Sequence, residues 1–159
     1  MQISILCIGK LKENYLKEGV AEYLKRLGPL AKLKIYELNE EKSPANPSLN
    51  QTEQIKEAEG RRILDALPKD CYHMALDMRG KNLSSQQLAQ HFHELALRGQ
   101  SHLAFSIGGS YGLAKNVIDE ADFVLSFGNM TYPHQLMRLI LLEQIYRAFK
   151  ISLGHTYHK

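Results

Sequence analysis

The chain has 159 residues, 44% of them apolar and 23% charged, with a formal net charge of +3. That length suits one domain with a sizeable core, and the composition is that of an ordinary soluble globular protein. The apolar run Ile3 to Ile8 is cut off by Lys10 and Lys12, so it is too short for a secretory h-region or a bilayer span, and a cytoplasmic protein is expected. Cys7 and Cys71 sit in separate strand-like runs without paired spacing. They read as buried reduced thiols, with neither a disulfide nor a metal role.

The pattern predicts a buried strand over Gln2–Gly9 and an amphipathic helix over Glu13–Leu27 with Leu16, Val20, Tyr23, Leu24 and Leu27 inward, stopped by Gly28-Pro29. Lys32–Leu38 alternates as a second strand. Residues 39–51 are polar, contain two prolines and read as a mobile loop, after which Thr52 caps a helix to about Leu67. A third strand, Tyr72–Met78, ends in Asp77-Met78-Arg79-Gly80. Ser84 or Ser85 caps the next helix, to about Arg98. A fourth strand, His102–Ile107, leads into Gly108-Gly109-Ser110-Tyr111-Gly112 and a short helix near Lys115–Glu120. The fifth strand, Phe123–Phe127, turns through Gly128-Asn129. Alternating strands and helices imply an α/β fold, a mostly parallel sheet with helices on both faces.

The last helix enters at Pro133, a residue suited to a first turn. From Leu136 to Phe149 its apolar residues fall on every side, the signature of an enclosed helix. It nevertheless carries His134 and Arg138, and on the opposite side the i,i+4 pair Glu143 and Arg147. Such a helix is expected to serve two places, a site in its own subunit and a surface shared with a second chain. A tail of proton-exchanging groups, His155-Thr156-Tyr157-His158-Lys159, follows Gly154.

Both ends of the chain are basic: residues 1–34 hold seven Lys/Arg against three Glu, and residues 125–159 hold four against one. That distribution suits a mildly positive RNA-facing surface, but by itself it reads better as the solvated face of the first helix. Three strand ends, Leu76–Gly80, Ile107–Gly112 and Ser126–Thr131, are rich in small or turn-forming residues and together would build a pocket made largely of main chain. The glycine loop matches neither dinucleotide nor P-loop spacing and reads equally as a tight turn. His91 and His93 point about 160° apart on a helix and read as surface residues, while His73 and His102 simply open strands. Without H-E-x-x-H, a cysteine cluster or G-x-S-x-G, neither metal nor serine acyl transfer is supported. Burying Glu143 and Arg147 is costly unless the pair is used. His134 reads either as a capping-region histidine or as a functional one.

The ordered motifs L-D-M-R-G (76–80), F-S-I-G-G-S-Y-G-L (105–113), L-S-F-G-N-M-T-Y-P-H-Q-L-M-R (125–138), E-Q-I-Y-R-A (143–148) and terminal Y-H-K resemble the H-type ribosomal RNA large-subunit methyltransferases, of the SPOUT superfamily of α/β-knot methyltransferases. The similarity runs from Gly9 to the last residue. The resemblance implies a single domain over 1–159 whose C-terminal part is a deep trefoil knot, with the knot and cofactor site within about 71–159. It implies a homodimer that uses S-adenosylmethionine to methylate N3 of a pseudouridine in large-subunit (23S) rRNA on the assembled ribosome, with the tail of one subunit completing the other's site. By motif match the cofactor residues are Leu76, Gly108, Phe127, Gly128, Asn129, Met130, Thr131 and Tyr132. The catalytic or RNA-contacting candidates are His134, Arg138, Glu143, Arg147, Tyr157 and His158. On that resemblance His158, with Tyr157, is expected to receive the N3 proton, Arg147 and Arg138 to hold phosphate or the imide oxygens, and Glu143 to orient Arg147. The rivals are a non-enzymatic ribosome-associated RNA-binding dimer of the same fold and a nucleotide-binding metabolic enzyme built on Gly108–Gly112.

Overall fold

The computed structural model describes residues 1–155 and Tyr157; His158 of the expected catalytic set lies outside the described residues. Among the described residues five strands alternate with five helices: β1 (Gln2–Ile8), α1 (Asn14–Leu27), β2 (Lys32–Leu38), α2 (Leu49–Ala66), β3 (Tyr72–Asn82), α3 (Ser85–Leu97), β4 (His102–Ile107), α4 (Lys115–Asp119), β5 (Phe123–Ser126) and α5 (His134–Ser152). The strands form one sheet in the order β2-β1-β4-β3-β5, with all its pairings parallel. Alternation along the strands divides the core in two. Ile3, Ile5 and Cys7 of β1, with Leu103, Phe105 and Ile107 of β4, pack against α1, α3 and α5. Ile8 and Ala75 face the other way, toward Ile63 of α2 and Val117 of α4. Both faces of the sheet are thus covered, which parallel strands require.

Several local details depart from the sequence pattern. The helix expected to begin at Thr52 begins at Leu49, because Ser48 and Gln51 form a reciprocal capping box (Gln51 N–H to Ser48 Oγ 3.2 Å, Ser48 N–H to Gln51 Oε1 2.8 Å). The preceding loop is held rather than loose. Glu41 N–H donates to the buried Glu59 carboxylate at 3.0 Å, Arg62 donates to Asn39 O at 3.0 Å, and Ser43 shares a 2.7 Å hydrogen bond with Tyr111. Pro133 stands at the N-cap of α5, one residue before the first turn. His91 is not a surface residue. It is half-buried, with ring centroids 5.7 Å from Tyr72 and 4.8 Å from Phe123. His73 does more than open a strand: it is buried and shares a 2.9 Å hydrogen bond with Ser106. Cys7 is buried, and its burial pushes the thiol up to about 12, whereas Cys71 is only half-buried.

The third strand runs four residues past its expected end, and its path matters for function. Leu76 and Lys81 both register against Leu125 of β5, so residues 77–80 are looped out of the ladder. Gly80 closes this bulge: a Cβ there would meet the Val124 carbonyl oxygen at 2.5 Å. Only glycine lets the two backbones approach so closely.

Two outcomes test these assignments. Ser48→Ala lowers the unfolding free energy by about 1 kcal/mol in urea melts, whereas Thr52→Ala, already inside the helix, has a smaller effect. His73 and His91 are held below their ordinary pKa chiefly by burial. The unfolded chain therefore takes up protons that the folded chain refuses. Stability is full above pH 6.5, the value for an unperturbed histidine. It declines as pH falls below that through the lowered folded values. A urea midpoint that stayed constant from pH 7.5 to about pH 5.5 would contradict this.

Candidate cofactor cleft and catalytic cluster

The carboxyl ends of β3, β4 and β5 open into one cleft of about 480 Å³. Its walls are the bulge Leu76–Arg79, the loop Ile107–Leu113 and the segment from Leu125 to Tyr132, with His134 and Met137 of α5 at one edge. The three strand ends singled out in the sequence therefore do converge. The loop after β4 is compact because Gly108 lies against the backbone of Gly112, where a Cβ would approach to 2.5 Å. Apolar side chains (Leu76, Ile107, Leu113, Leu125, Phe127) and main-chain groups of the glycine loop dominate the lining, an arrangement suited to a flat heteroaromatic ligand.

Of the expected cofactor residues, Leu76, Gly108, Phe127, Gly128, Met130, Thr131 and Tyr132 line the cleft; Asn129 is exposed beside it and does not. Asp77, Arg79 and Tyr111 lay within the strand ends expected to form the pocket but were not singled out as cofactor residues, and Lys56 was missed. Asp77 and Arg79 stand inside a quoted motif, directly after an apolar strand, which was a usable signal. Lys56 comes from α2 and carried none. Thr131 Oγ1 and Met78 Sδ, 3.8 Å apart, connect the segment after β5 with the bulge.

The expected catalytic residues fall into three places. His134 lies at the cleft, its Nε2 3.4 Å from Glu40. Burial holds its pKa below the ordinary value, outweighing the opposing pull of Glu40. Arg138 is 1% exposed and lies outside the cleft lining. Its Nη1 donates to Glu37 at 2.5 Å and its Nη2 to Gly9 O at 2.9 Å, fastening α5 to the ends of β1 and β2. Lys12 N–H adds a 2.9 Å bond to Gln135.

The third place is the far half of α5. Arg147 donates to Glu143 through Nε at 2.9 Å and Nη2 at 2.5 Å. Tyr157 folds back onto this pair. Its hydroxyl donates to Glu143 at 3.3 Å, its ring lies 4.9 Å from the Arg147 guanidinium, and it meets the Tyr146 ring edge-on at 4.9 Å. Tyr23 of α1 joins the cluster, its phenol pushed up to about 12 by burial and by the Tyr157 hydroxyl. Thirteen residues of helix separate His134 from Arg147, about 20 Å at the helical rise. Within one subunit the cluster and the cleft are two separate places. Among the described residues, no group of three or more His, Cys, Asp or Glu is placed to hold a metal ion.

Comparison with known proteins places this geometry in a family. Residues 1–158 match the model of a family described as predicted SPOUT methyltransferase. The chain is 57% identical over 159 residues, all of both chains, to ribosomal RNA large subunit methyltransferase H of Carboxydothermus hydrogenoformans. It is 53% identical, again over the whole of both chains, to the proteins of that name from Clostridium novyi and Clostridioides difficile. Among solved structures it resembles a probable methylase family protein from Haemophilus influenzae (TM-score 0.53, 14% identity, 99% of this chain and 70% of that one). A probable methyltransferase from Bordetella pertussis is also similar (TM-score 0.56, 12% identity, 92% and 95%). At such identities these two likenesses bear on the fold alone. A cleft built from three strand ends, in a chain matched along nearly its whole length, belongs to the SPOUT methyltransferase family, among the H-type ribosomal RNA large-subunit methyltransferases.

Proposed function

We propose that the protein methylates large-subunit ribosomal RNA, at N3 of a pseudouridine on the assembled ribosome, with S-adenosylmethionine as donor. The observation that carries this reading is the convergence of the three strand ends on one cleft in a chain 57% identical to a relative named for that class of reaction. The cleft fits the donor chemically, with apolar walls for the adenine ring and main-chain groups of the glycine loop for its polar edge. When bound, that cofactor supplies an electrophilic methyl carbon on a sulfonium sulfur.

The chain's own residues position the partners and handle one proton. Leu76, Phe127 and the loop at Gly108 hold the donor, and His134, neutral near pH 7 because burial depresses its pKa, bounds the cleft without adding charge. The acceptor nitrogen must lose its N–H proton for its lone pair to attack in line with the departing sulfur. In this reading the tail receives that proton. Glu143 orients the Arg147 guanidinium through hydrogen bonds from Nε and Nη2, and in this reading that oriented cation meets a phosphate or the imide oxygens.

The cluster and the cleft lie too far apart in one subunit to act on a single base, so the reading includes a homodimer in which one chain's Arg147 and tail meet the partner's cleft. Leu136 and Ile140 on α5 are only half-buried, which suits a helix that a second copy finishes covering. The trefoil threading of the C-terminal part belongs to the same reading.

Calorimetry with S-adenosylmethionine, S-adenosylhomocysteine and ATP is the first test. Binding of the two adenosyl amino acids but not ATP, followed by a methyl mapped to one pseudouridine in treated ribosomes, supports the proposal. Binding of ribosomes without either ligand supports a non-enzymatic RNA-binding dimer instead. Arg147→Ala is expected to lower the single-turnover rate about 100-fold with little change in donor affinity. Mixing Arg147→Ala with the cleft-filling Phe127→Arg, each strongly impaired alone, is expected to restore about a quarter of wild-type activity if sites are shared across a two-fold interface. No recovery on mixing would sink the shared site.

A further inference from the structure

The cleft's charge balance points to a residue that tells the methyl donor from its product. S-adenosylmethionine carries a permanent sulfonium charge; the product left after transfer does not. A positive charge moved into a partly desolvated cleft is costly without a counter-ion. Among the described residues lining the cleft, Asp77 is the sole carboxylate, and Lys56 and Arg79 are both cationic. Lys56 already has a partner in Glu53 at 2.9 Å.

Asp77 is presented by the bulge created where Leu76 and Lys81 share Leu125 as partner. Its Oδ1 accepts from Arg79 N–H at 2.9 Å and from Arg79 Nε at 2.8 Å, and its Oδ2 accepts from Arg79 Nη2 at 3.1 Å. The two side chains are unequally placed. The Asp77 side chain is 14% exposed and the Arg79 side chain 70%. Burial alone would push the Asp77 pKa up, but the hydrogen bonds and charge of Arg79 outweigh it and hold the group below its ordinary value. A carboxylate inside the cleft, ionised and paired with a mostly solvated cation, can exchange that cation at small cost, because such half-exposed ion pairs contribute little.

Resting on the methyl-donor reading above, we infer that Asp77 is a specificity-determining residue, recognising the sulfonium charge of the donor and exchanging it for Arg79 once the charge is lost. Donor and product then differ in affinity through one carboxylate. The main-chain bond from Arg79 N–H to Oδ1 keeps the bulge in shape through the exchange, and Asn at position 77 preserves that acceptor.

The test is calorimetric binding to the full chain, with thermal unfolding of each unliganded variant to confirm an unchanged fold. The ligands are S-adenosylmethionine, S-adenosylhomocysteine and sinefungin, which bears an amine where the sulfonium stands. Asp77→Asn is expected to weaken the donor and sinefungin about tenfold, the size of a lost charge-assisted contact, and the product less than about twofold. Arg79→Gln, which removes the competing cation, tightens the donor about two- to fivefold and leaves the product unchanged. The double variant binds like Asp77→Asn alone. Equal weakening of all three ligands would assign Asp77 to the α-ammonium that they share, and overturn the inference. So would unchanged binding in Asp77→Asn, or loss of donor affinity in Arg79→Gln. A wild-type chain that binds neither adenosyl ligand overturns the methyl-donor reading and this inference with it.

Discussion

The structure turns on one buried cation. Arg138, among the largest fully buried side chains, lies on the last helix and reaches the carboxyl ends of the first two strands, 101 residues away at Glu37 and 129 at Gly9. A guanidinium so placed has a directional requirement that an apolar contact lacks: Glu37 and the Gly9 carbonyl must both be in position. Buried ion pairs are weak sources of net stability but strict selectors of geometry. Here the geometry selected is the seat of α5, and with it the position of His134 at the edge of the cleft beside Glu40. The arginine expected to touch substrate is, in the folded subunit, the one that sets the helix bearing the other candidates.

The cleft depends on a second constraint, the slip in register between β3 and β5. An uninterrupted β3 would alternate its side chains through residues 77–80 and leave no wall. Looping those four residues out puts Asp77 and Met78 beside the glycine loop and Phe127. Gly80 pressed against Val124 makes the slip possible. Main chain and apolar walls supply shape with little charge, so the few ionic groups present weigh heavily. The same economy governs His134, whose pKa burial holds below the ordinary value at the edge of the cleft.

The two ends of α5 do different work. The first turn borders the cleft and is fixed by Arg138, Gln135 and Glu40; the far half gathers Glu143, Arg147, Tyr146 and Tyr157 against Tyr23 of α1. Continuous helix holds these ends at a fixed separation. Loop motion within the chain therefore offers no ready way to unite them, which is why the proposed function invokes a second chain.

Local pattern was enough for the order of elements and for the strand ends that form the cleft. Apolar periodicity of 2 and 3.6 residues, glycine clusters after strands and the all-round apolar last helix are properties of neighbouring residues. The Glu143–Arg147 pair was legible for the same reason, being one turn apart on one helix. What escaped the sequence was set by partners far along the chain. Thr52 and Ser48 both make plausible caps, and the competition was decided by Gln51 reaching back and by the anchoring of residues 39–43 to Glu59, Arg62 and Tyr111. His91 was read as a surface residue and His73 as merely opening a strand because nothing local announces the rings of Tyr72 and Phe123, or the Ser106 hydroxyl. The burial of Arg138, the register slip at Gly80 and the placing of the Asp77–Arg79 pair in the wall of the cleft arise only when strands and helices are assembled. A sequence specifies which groups are available and how neighbouring ones are spaced; tertiary packing decides which become buried, and burial is what turns a common side chain into a constrained one.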